Sequence, residues 1–366
     1  MPRLHLFSLV SVVGLSGISA AQGQYDFQTI SLPNTFNISS INNSGAIAGR
    51  YGNTNSIWTA QNGVTAITTL TGDNYYLSIS DTGHVYGISG GSLISFDAQN
   101  GRQVLASDPN ISYSVTALTQ DKVLLRGNSS YYTYDSTGLH SLATPSGFTP
   151  NQILKDGTII GLVQNGTNPV GVPAFDTMKL SGDGSLTLMP GSQQSFTYHS
   201  FSYNWTSSQV FDLLGDGYSY VETNTWSQQT SQSTFAQNFK IIGPGNASYT
   251  ADASYYSSNI GGFNSGFAPS VVLNDGTMIG SDMYPARPLT IYSFANPAGV
   301  VMDSSYFTGD SIIPDHIVMG THEGMMLGQT LVNNQWVYSM TTVPEPTSFM
   351  ALGLGVLALA RRRRQK

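Results

Sequence analysis

One unit recurs along this chain: an apolar residue, a turn pair, a glycine, then a short β-rich run that often ends in a second glycine. The clearest copy is Ile41-Asn42-Asn43-Ser44-Gly45-Ala46-Ile47-Ala48-Gly49, followed by ISDTGHVYG at 79–87, ILKDGTIIG at 153–161 and VLNDGTMIG at 272–280. GMMLG at 324–328 is a weaker copy, and DKVLL at 121–125 and DGYSYV at 216–221 are degenerate ones. Asn-Gly and Asp-Gly pairs supply the positive φ that primed hairpin turns need, so the apolar residues on either side become paired strands. Many copies lead into a second hairpin. Ser56–Thr59 turns at Asn62-Gly63 into Val64–Ile67, Leu93–Asp97 turns at Asn100-Gly101, Tyr132–Asp135 turns at Thr137-Gly138, and Leu289–Phe294 turns near Ala298-Gly299. Two hairpins make four strands per unit.

The turns fall at 45, 83, 122, 157, 217, 276 and 324, a mean spacing of about 46 residues and the size of one four-stranded propeller blade. The expectation is an all-β chain folded as a seven-bladed β-propeller over residues 22–342. A right-handed β-helix, whose coils are about half as long, or a two-sheet sandwich is the alternative. Tyr25–Ile30 is expected to pair with Trp336–Met340 of the last blade and close the ring, removing exposed edges. The wider gaps, 157 to 217 and 217 to 276, call for longer strands or loops. Composition agrees: charged residues are 10% against about a quarter in average soluble proteins, and Gly numbers 39 of 366. A 40% hydrophobic and 11% aromatic content gives ample material for a packed core.

The two ends read as addresses. Arg3 and the amino terminus supply positive charge, Leu4–Gly17 is a short apolar run, and Ser19-Ala20-Ala21 offers the small residues of a cleavage site, placing the cut after Ala21. Residues 1–21 are therefore a secretory signal peptide, handled by the Sec machinery and signal peptidase; a buried N-terminal strand or helix is the other reading. At the far end, Val343-Pro344-Glu345-Pro346 precedes an apolar stretch, Phe349–Ala360, and then Arg361, Arg362, Arg363 and Arg364. Twelve helical residues span only about 18 Å of a roughly 30 Å hydrocarbon core, so the flanking residues and snorkelling arginines have to close the gap. The arginine cluster stays cytoplasmic while everything before it is exported.

These last residues, 343–366, resemble the PEP-CTERM sorting signal of Gram-negative, exopolysaccharide-producing bacteria. The resemblance implies a short transmembrane sorting helix and recognition by an exosortase, a membrane transpeptidase-like enzyme that cuts near Pro344-Glu345-Pro346. Release to the cell envelope or extracellular matrix follows. The two prolines fix φ and remove backbone donors, which keeps the segment extended as a protease-like groove requires. A plain tail anchor is the alternative, and it needs neither the short span nor the Pro-Glu-Pro. The body's units also resemble the HAF repeat of bacterial extracellular proteins, clearest at Ile41–Gly49 and Ile57-Trp58. No His-Ala-Phe occurs, and Ser56-Ile57-Trp58 stands in its place. That resemblance implies no reaction.

Charge narrows the partners. Loss of both ends removes Arg3, the four tail arginines and Lys366 from 14 basic residues and Glu345 from 21 acidic ones, leaving 8 against 20 and a net charge of about −12. Such a body is soluble and repelled by nucleic acid and anionic lipid. Cys is 0, which excludes disulfides, thiolate metal sites and a cysteine nucleophile. The sequence is read as holding no P-loop, dinucleotide fingerprint, nucleophile elbow or H-E-x-x-H. His316 and His322 near Asp315 and Glu323 form the only dense His/carboxylate patch, with a spacing that matches no common metal site. Asp81, Asp156, Asp216 and Asp275 sit at repeat turns, where Asp is favoured for its capping geometry. Glu222 is the best lone acid and lacks a partner carboxylate at glycosidase spacing. Gly182-Asp183-Gly184 and Gly215-Asp216-Gly217 lack the ligand ladder of an EF-hand loop. No catalytic residue, cofactor or metal is expected.

Aromatic residues carry more information. Tyr198, Tyr203, Trp205 and Trp226 lie amid Ser, Asn, Gln and Thr in a stretch, about 192 to 235, that breaks the repeat. Sugars stack on such rings while neighbouring amides and hydroxyls orient their hydroxyl groups; packing between blades is the competing role. The expected function is non-enzymatic: an exported matrix or envelope component that contacts exopolysaccharide or other surface proteins. A polysaccharide-processing enzyme with an aspartate-based funnel is the second reading. An ice-binding surface protein is the third, though no regular T-x-T ladder supports a flat ice face.

Overall fold

The computed structural model describes residues 25–343 except for 68–77, 98–100, 120–121, 168–172, 200–201, 215–216, 230–231, 258–261, 265–266, 283–287 and 309–311. The expected signal peptide, the apolar tail and its arginines lie outside the described residues, as do Asp121 and Asp216. Among the described residues every regular element is a strand or a short 3-10 turn, and no helix is long and apolar enough to cross a membrane.

Strand pairing gives seven antiparallel sheets, six of four strands and one of six. They follow one another in chain order, so each is a blade of a seven-bladed β-propeller. Blade 1 is Phe36–Ile41, Ile47–Tyr51, Thr54–Thr59 and Gly63–Ala66, and blade 2 is Ser78–Ile79, Val85–Ser89, Ser92–Asp97 and Gly101–Ala106. Blade 3 is Tyr113–Thr119, Lys122–Gly127, Ser130–Asp135 and Gly138–Leu142, and blade 4 is Phe148–Ile153, Ile159–Thr167, Pro173–Leu180 and Leu186–Leu188. Blade 6 is Phe267–Val272, Met278–Asp282, Thr290–Tyr292 and Val300–Val301. Blade 7 takes three strands from the end of the chain, His316–Gly320, Met325–Val332 and Gln335–Thr342, and its fourth from the beginning, Gln28–Thr29. Gln28 pairs with Met340 and Thr29 with Ser339, closing the ring where the sequence placed the seam.

The repeat glycines are the turns. Gly45, Gly83, Gly157, Gly276 and Gly324 all have positive φ between the first and second strands of their blades, and Gly217 has it between Ser202–Leu213 and Ser219–Gln229 of the six-stranded sheet. Asn42 shows how such a turn is built: its Oδ1 accepts from the N–H groups of Ser44 and Ala46, and its Nδ2 donates to Ser80 O of blade 2 at 2.7 Å. The glycine that ends each unit has a different cause. A Cβ at Gly49, Gly161 or Gly280 would collide with the carbonyl oxygen of Asn37, Thr149 or Ala268 in the neighbouring first strand. In all three blades that first strand is bulged just before its last two pairs with the second strand. The bulge tightens the local twist and drives backbone against backbone. The same bulge recurs at Val115/Ala117, Val210/Asp212 and Ile317/Met319.

No single core fills the molecule. The buried side chains form seven clusters, and each belongs to the seam between two consecutive blades. Second strands are covered on both sides by neighbouring blades, which is why Ile47-Ala48-Gly49, Val123-Leu124-Leu125 and Met278-Ile279-Gly280 are each buried at three consecutive positions. The seam between blades 6 and 7 is among the richest, with Tyr25, Phe27, Ile279, Phe307 and Met326 among its members. Burial, with Asp275 and Tyr306 nearby, pushes the Tyr25 hydroxyl pKa well above its usual value, so this anchor of the closing strand is neutral at every pH of interest. Among the described side chains, Met189, Val210 and Val221 are enclosed at the seam that follows blade 4.

Candidate functional site

Blade 5 departs from the pattern in the region of the wide repeat spacing. Its strands are Gln193–His199, Ser202–Leu213, Ser219–Gln229, Gln232–Ile242, Ser248–Ser257 and Gly262–Asn264. Eleven residues carry Ser219–Gln229 roughly 36 Å, whereas the five of Ile47–Tyr51 reach only about 17 Å. The extra length lies at the end remote from Gly217. The inner ends pack into the ring through Val210, Val221, Phe239 and Ile241; the outer halves go on as a sheet. The polar-aromatic stretch read from the sequence is therefore no loop insertion but paired strand, and it continues to Asn264.

Register organises the outer half. Phe196 pairs with Trp205, Trp205 with Trp226, Trp226 with Phe235, Phe235 with Tyr256, and Tyr256 with Phe263. Six aromatic positions thus form one cross-strand row running from edge to edge of the sheet. Positions opposite one another in an antiparallel ladder belong to the same face. The next row on that face toward the tip is Tyr198, Tyr203, Gln228 and Ser233, and the next row inward is Gln194, Ser207, Asn224, Gln237 and Ser254. All four aromatics singled out from the sequence, Tyr198, Tyr203, Trp205 and Trp226, therefore share one face. Trp226 is 40% exposed and lies on Phe235 with ring centroids 4.6 Å apart. Phe196, Phe235 and Phe263 escaped the sequence reading, because only the register ties them to the tryptophans.

Glu222 sits on the same face, one row inward of Asn224. Its Oε1 accepts from Asn224 Nδ2 at 2.9 Å and from Gln237 Nε2. Two amides hold this carboxylate, and the face offers it no carboxylate partner among the described side chains. The opposite face is hydroxyl-rich: Thr206 Oγ1 meets Thr225 Oγ1 at 3.2 Å and Ser208 Oγ meets Thr223 Oγ1 at 2.8 Å.

The second candidate is the funnel at the ring's centre. A cavity of about 540 Å³ opens among the turns of blades 3 to 7, lined by Gln152, Lys155, Asp156, Leu214, Asn274, His322 and Glu323 among others. Its acids are engaged. Lys155 of blade 4 pairs with Glu323 of blade 7. Asp156 accepts from Thr158 N at 2.8 Å and Thr158 Oγ1 at 3.0 Å. These bonds hold its carboxyl below the usual carboxylate range, the Thr158 N–H contributing most. Outside that lining, Asp81 accepts from the backbone and side chain of Asn43 in blade 1, and Asp275 from Thr277 N. His322 Nδ1 lies 2.6 Å from Val272 O, and His322 O accepts from Asn274 N, so this turn is clipped to blade 6.

The His/carboxylate patch is dispersed. His316 packs edge-on against Trp336 at 5.4 Å and Asp315 accepts from Leu331 N, both away from His322. Among the described residues no three His, Asp or Glu side chains gather as metal ligands would. One pattern needs correcting: Gly87-Ile88-Ser89-Gly90-Gly91 does carry G-x-S-x-G spacing. It spans the turn between Val85–Ser89 and Ser92–Asp97, a strand-to-strand hairpin and not the strand-to-helix elbow that a nucleophile requires.

The chain leaves the ring at a defined point. Gln335–Thr342 ends beside the turn of its own blade, where Val343 N donates to Gly324 O at 2.8 Å and Val343 packs on the blade 6–7 seam. Residues 342–364 match the PEP-CTERM protein-sorting motif. That motif implies an exported protein, destined for the envelope or the outside, with an exosortase as its processing partner. A comparison with curated proteins finds no match. Among solved structures, the mitotic checkpoint complex is 11% identical with a TM-score of 0.43, over 94% of this chain and 99% of that one. The extracellular domain of the one component system BT4673 from B. thetaiotaomicron is 14% identical with a TM-score of 0.43, over 86% of this chain and 40% of that one. The Nup133 β-propeller domain of Vanderwaltozyma polyspora is 11% identical with a TM-score of 0.38, over 87% and 97%.

Proposed function

We propose that this protein is an exported, exosortase-processed component of the envelope or extracellular matrix, which binds exopolysaccharide and catalyses no reaction. The observation that carries the proposal is the junction at residue 342, where the sorting motif starts on the last residue of a ring-closing strand. Cutting near Pro344-Glu345-Pro346 removes the tail without taking a strand from the ring. In this reading residues 1–21 are removed after Ala21 on Sec export from a Gram-negative cell. Phe349–Ala360 then anchors the folded body in the inner membrane, with Arg361 to Arg364 inside, until the exosortase acts. The repeat's likeness to HAF units of extracellular proteins belongs to the same reading. A binding role is supported by the funnel, where Asp156 is held by Thr158 and Glu323 by Lys155.

Fractionation tests it. The protein is expected outside the cell, held by the producer's polysaccharide fraction and eluted when that polymer is digested. Free passage through every matrix fraction would remove the proposal. Turnover of a polysaccharide that is abolished by Asp156→Asn would replace it with the enzymatic alternative.

A further inference from the structure

From the register of blade 5 we infer that its aromatic row is a platform for one extended, uncharged polysaccharide chain laid across the strands. The inference rests on the exopolysaccharide reading above and adds to it the place, the direction and the charge class of the ligand. The row Phe196–Trp205–Trp226–Phe235–Tyr256–Phe263 crosses all six strands without a gap. Adjacent strands stand about 4.8 Å apart, close to the advance per sugar of an extended β-linked chain. A polymer lying along the row therefore meets a new aromatic position at about each sugar. Rings offer their faces to the apolar CH faces of pyranoses. By register the flanking rows are polar and uncharged, with Gln228 and Ser233 on one side and Asn224 and Gln237 on the other.

Charge selects the class. Residues 193–209, 223–238 and 253–264, the outer sheet, contain no Asp, Glu, Lys or Arg. An anionic polymer or lipid would find no cation there and a body of about −12 behind it. A neutral chain loses nothing by that. Position also favours access. The turns marked by Gly45, Gly276 and Gly324 lie at one rim of the ring, and Val343 leaves from that rim. The closing strand enters there too, since Asp26 N donates to Thr341 Oγ1 and Gln28 pairs with Met340. Blade 5 extends at the opposite rim, because Gln229 lies eleven residues along a strand that starts beside Gly217. A body tethered by its tail therefore holds the platform away from the membrane.

Calorimetry on the full chain in mild detergent provides the test, with neutral cello-oligosaccharides from disaccharide to octasaccharide and an oligogalacturonate series of equal lengths. Affinity for the neutral series is expected to climb with each sugar to about six and then level, while the anionic series binds at least tenfold more weakly. Trp226→Ala should cut affinity about tenfold, and Thr225→Ala, next to it on the opposite face, should change it less than twofold. Unchanged melting of both variants shows that they are folded. Equal binding by Trp226→Ala, a preference for the anionic series, or no length dependence overturns the inference. So does neutral-series silence from a protein still retained by its own polysaccharide fraction, and that result leaves the broader reading standing. Loss of that retention in the unaltered protein removes the broader reading itself.

Discussion

Blade 5 and the other six blades are made by the same local rules and end up with opposite properties. In the four-stranded blades the second strand is buried on both faces, as at Val123-Leu124-Leu125, and in blades 1, 4 and 6 nothing larger than a glycine fits where it meets the bulged first strand. In blade 5 the inner ends keep the bulge, at Val210/Asp212, and the burial, with a valine, Val221, where blades 1, 4 and 6 carry glycine. The strands then run on past the ring, where Trp226 is 40% exposed and Thr223–Thr225 are half-buried. Residues on the outer half have to be acceptable to water, so Thr, Ser, Asn and Gln alternate with aromatic rings. Strand length alone converts an interior face into an available one.

That contrast can be broken most forcefully at the ring. Gly280→Ala puts a methyl group into the Ala268 carbonyl, and it is expected to cost about 3 kcal/mol or abolish folding. Ala236→Ser, on the outer half of blade 5, should stay within about 0.5 kcal/mol. Chemical denaturation of both variants checks the pair. Next in size is Leu125→Ala in the blade 2–3 seam, where the side chain has 0% exposure and a loss of about 3 kcal/mol is expected. Trp226→Ala, at 40% exposure, should lose less than about 1 kcal/mol despite removing a larger side chain. If the tryptophan proves the costlier of the two, the outer sheet is core and the distinction falls.

Acid provides a subtler lever. Asp135, Asp156, Asp183 and Asp303 each accept from a Ser or Thr two residues on, and those bonds hold their carboxyls below the usual range. A lowered folded-state value stabilises fully above the unfolded pKa of about 4, and the contribution drains as pH falls through the folded values. Melting temperature should therefore be flat from neutral pH to about 5 and drop below about 4, with Asp156→Asn showing a shallower drop. The smallest effect is expected at Lys155→Ala. Its pair with Glu323 has side chains 50% and 29% exposed, so less than about 1 kcal/mol should be lost on melting.

Much of the ring was legible from sequence because its signals are local. A glycine at 45, 83 or 276 after Ser, Thr or Asp announces a positive φ, and the residues on either side cannot do much but pair. Ring closure by Tyr25–Ile30 was legible for a similar reason: an apolar alternation with no partner strand nearby has to find an edge. The cause of the terminal glycines was not legible, since Gly49 depends on the carbonyl of Asn37, which only a bulge brings so close. The aromatic face proposed for binding was half legible. Composition marked Tyr198, Tyr203, Trp205 and Trp226, but whether Trp205 meets Trp226 or its neighbour depends on the length of the turn between them and on the bulge at Val210/Asp212. A slip of one residue would send one of the two to the other face. Phe235 and Phe263 were invisible without that register.

The most direct measurement is the intact mass of the protein recovered from outside its own cells. The account predicts one species that begins at Gln22 and ends between Val343 and Pro346, a closed ring with neither address attached. A species that still carries Phe349–Ala360 and the four arginines, or one found inside the cell with both ends uncut, would contradict it.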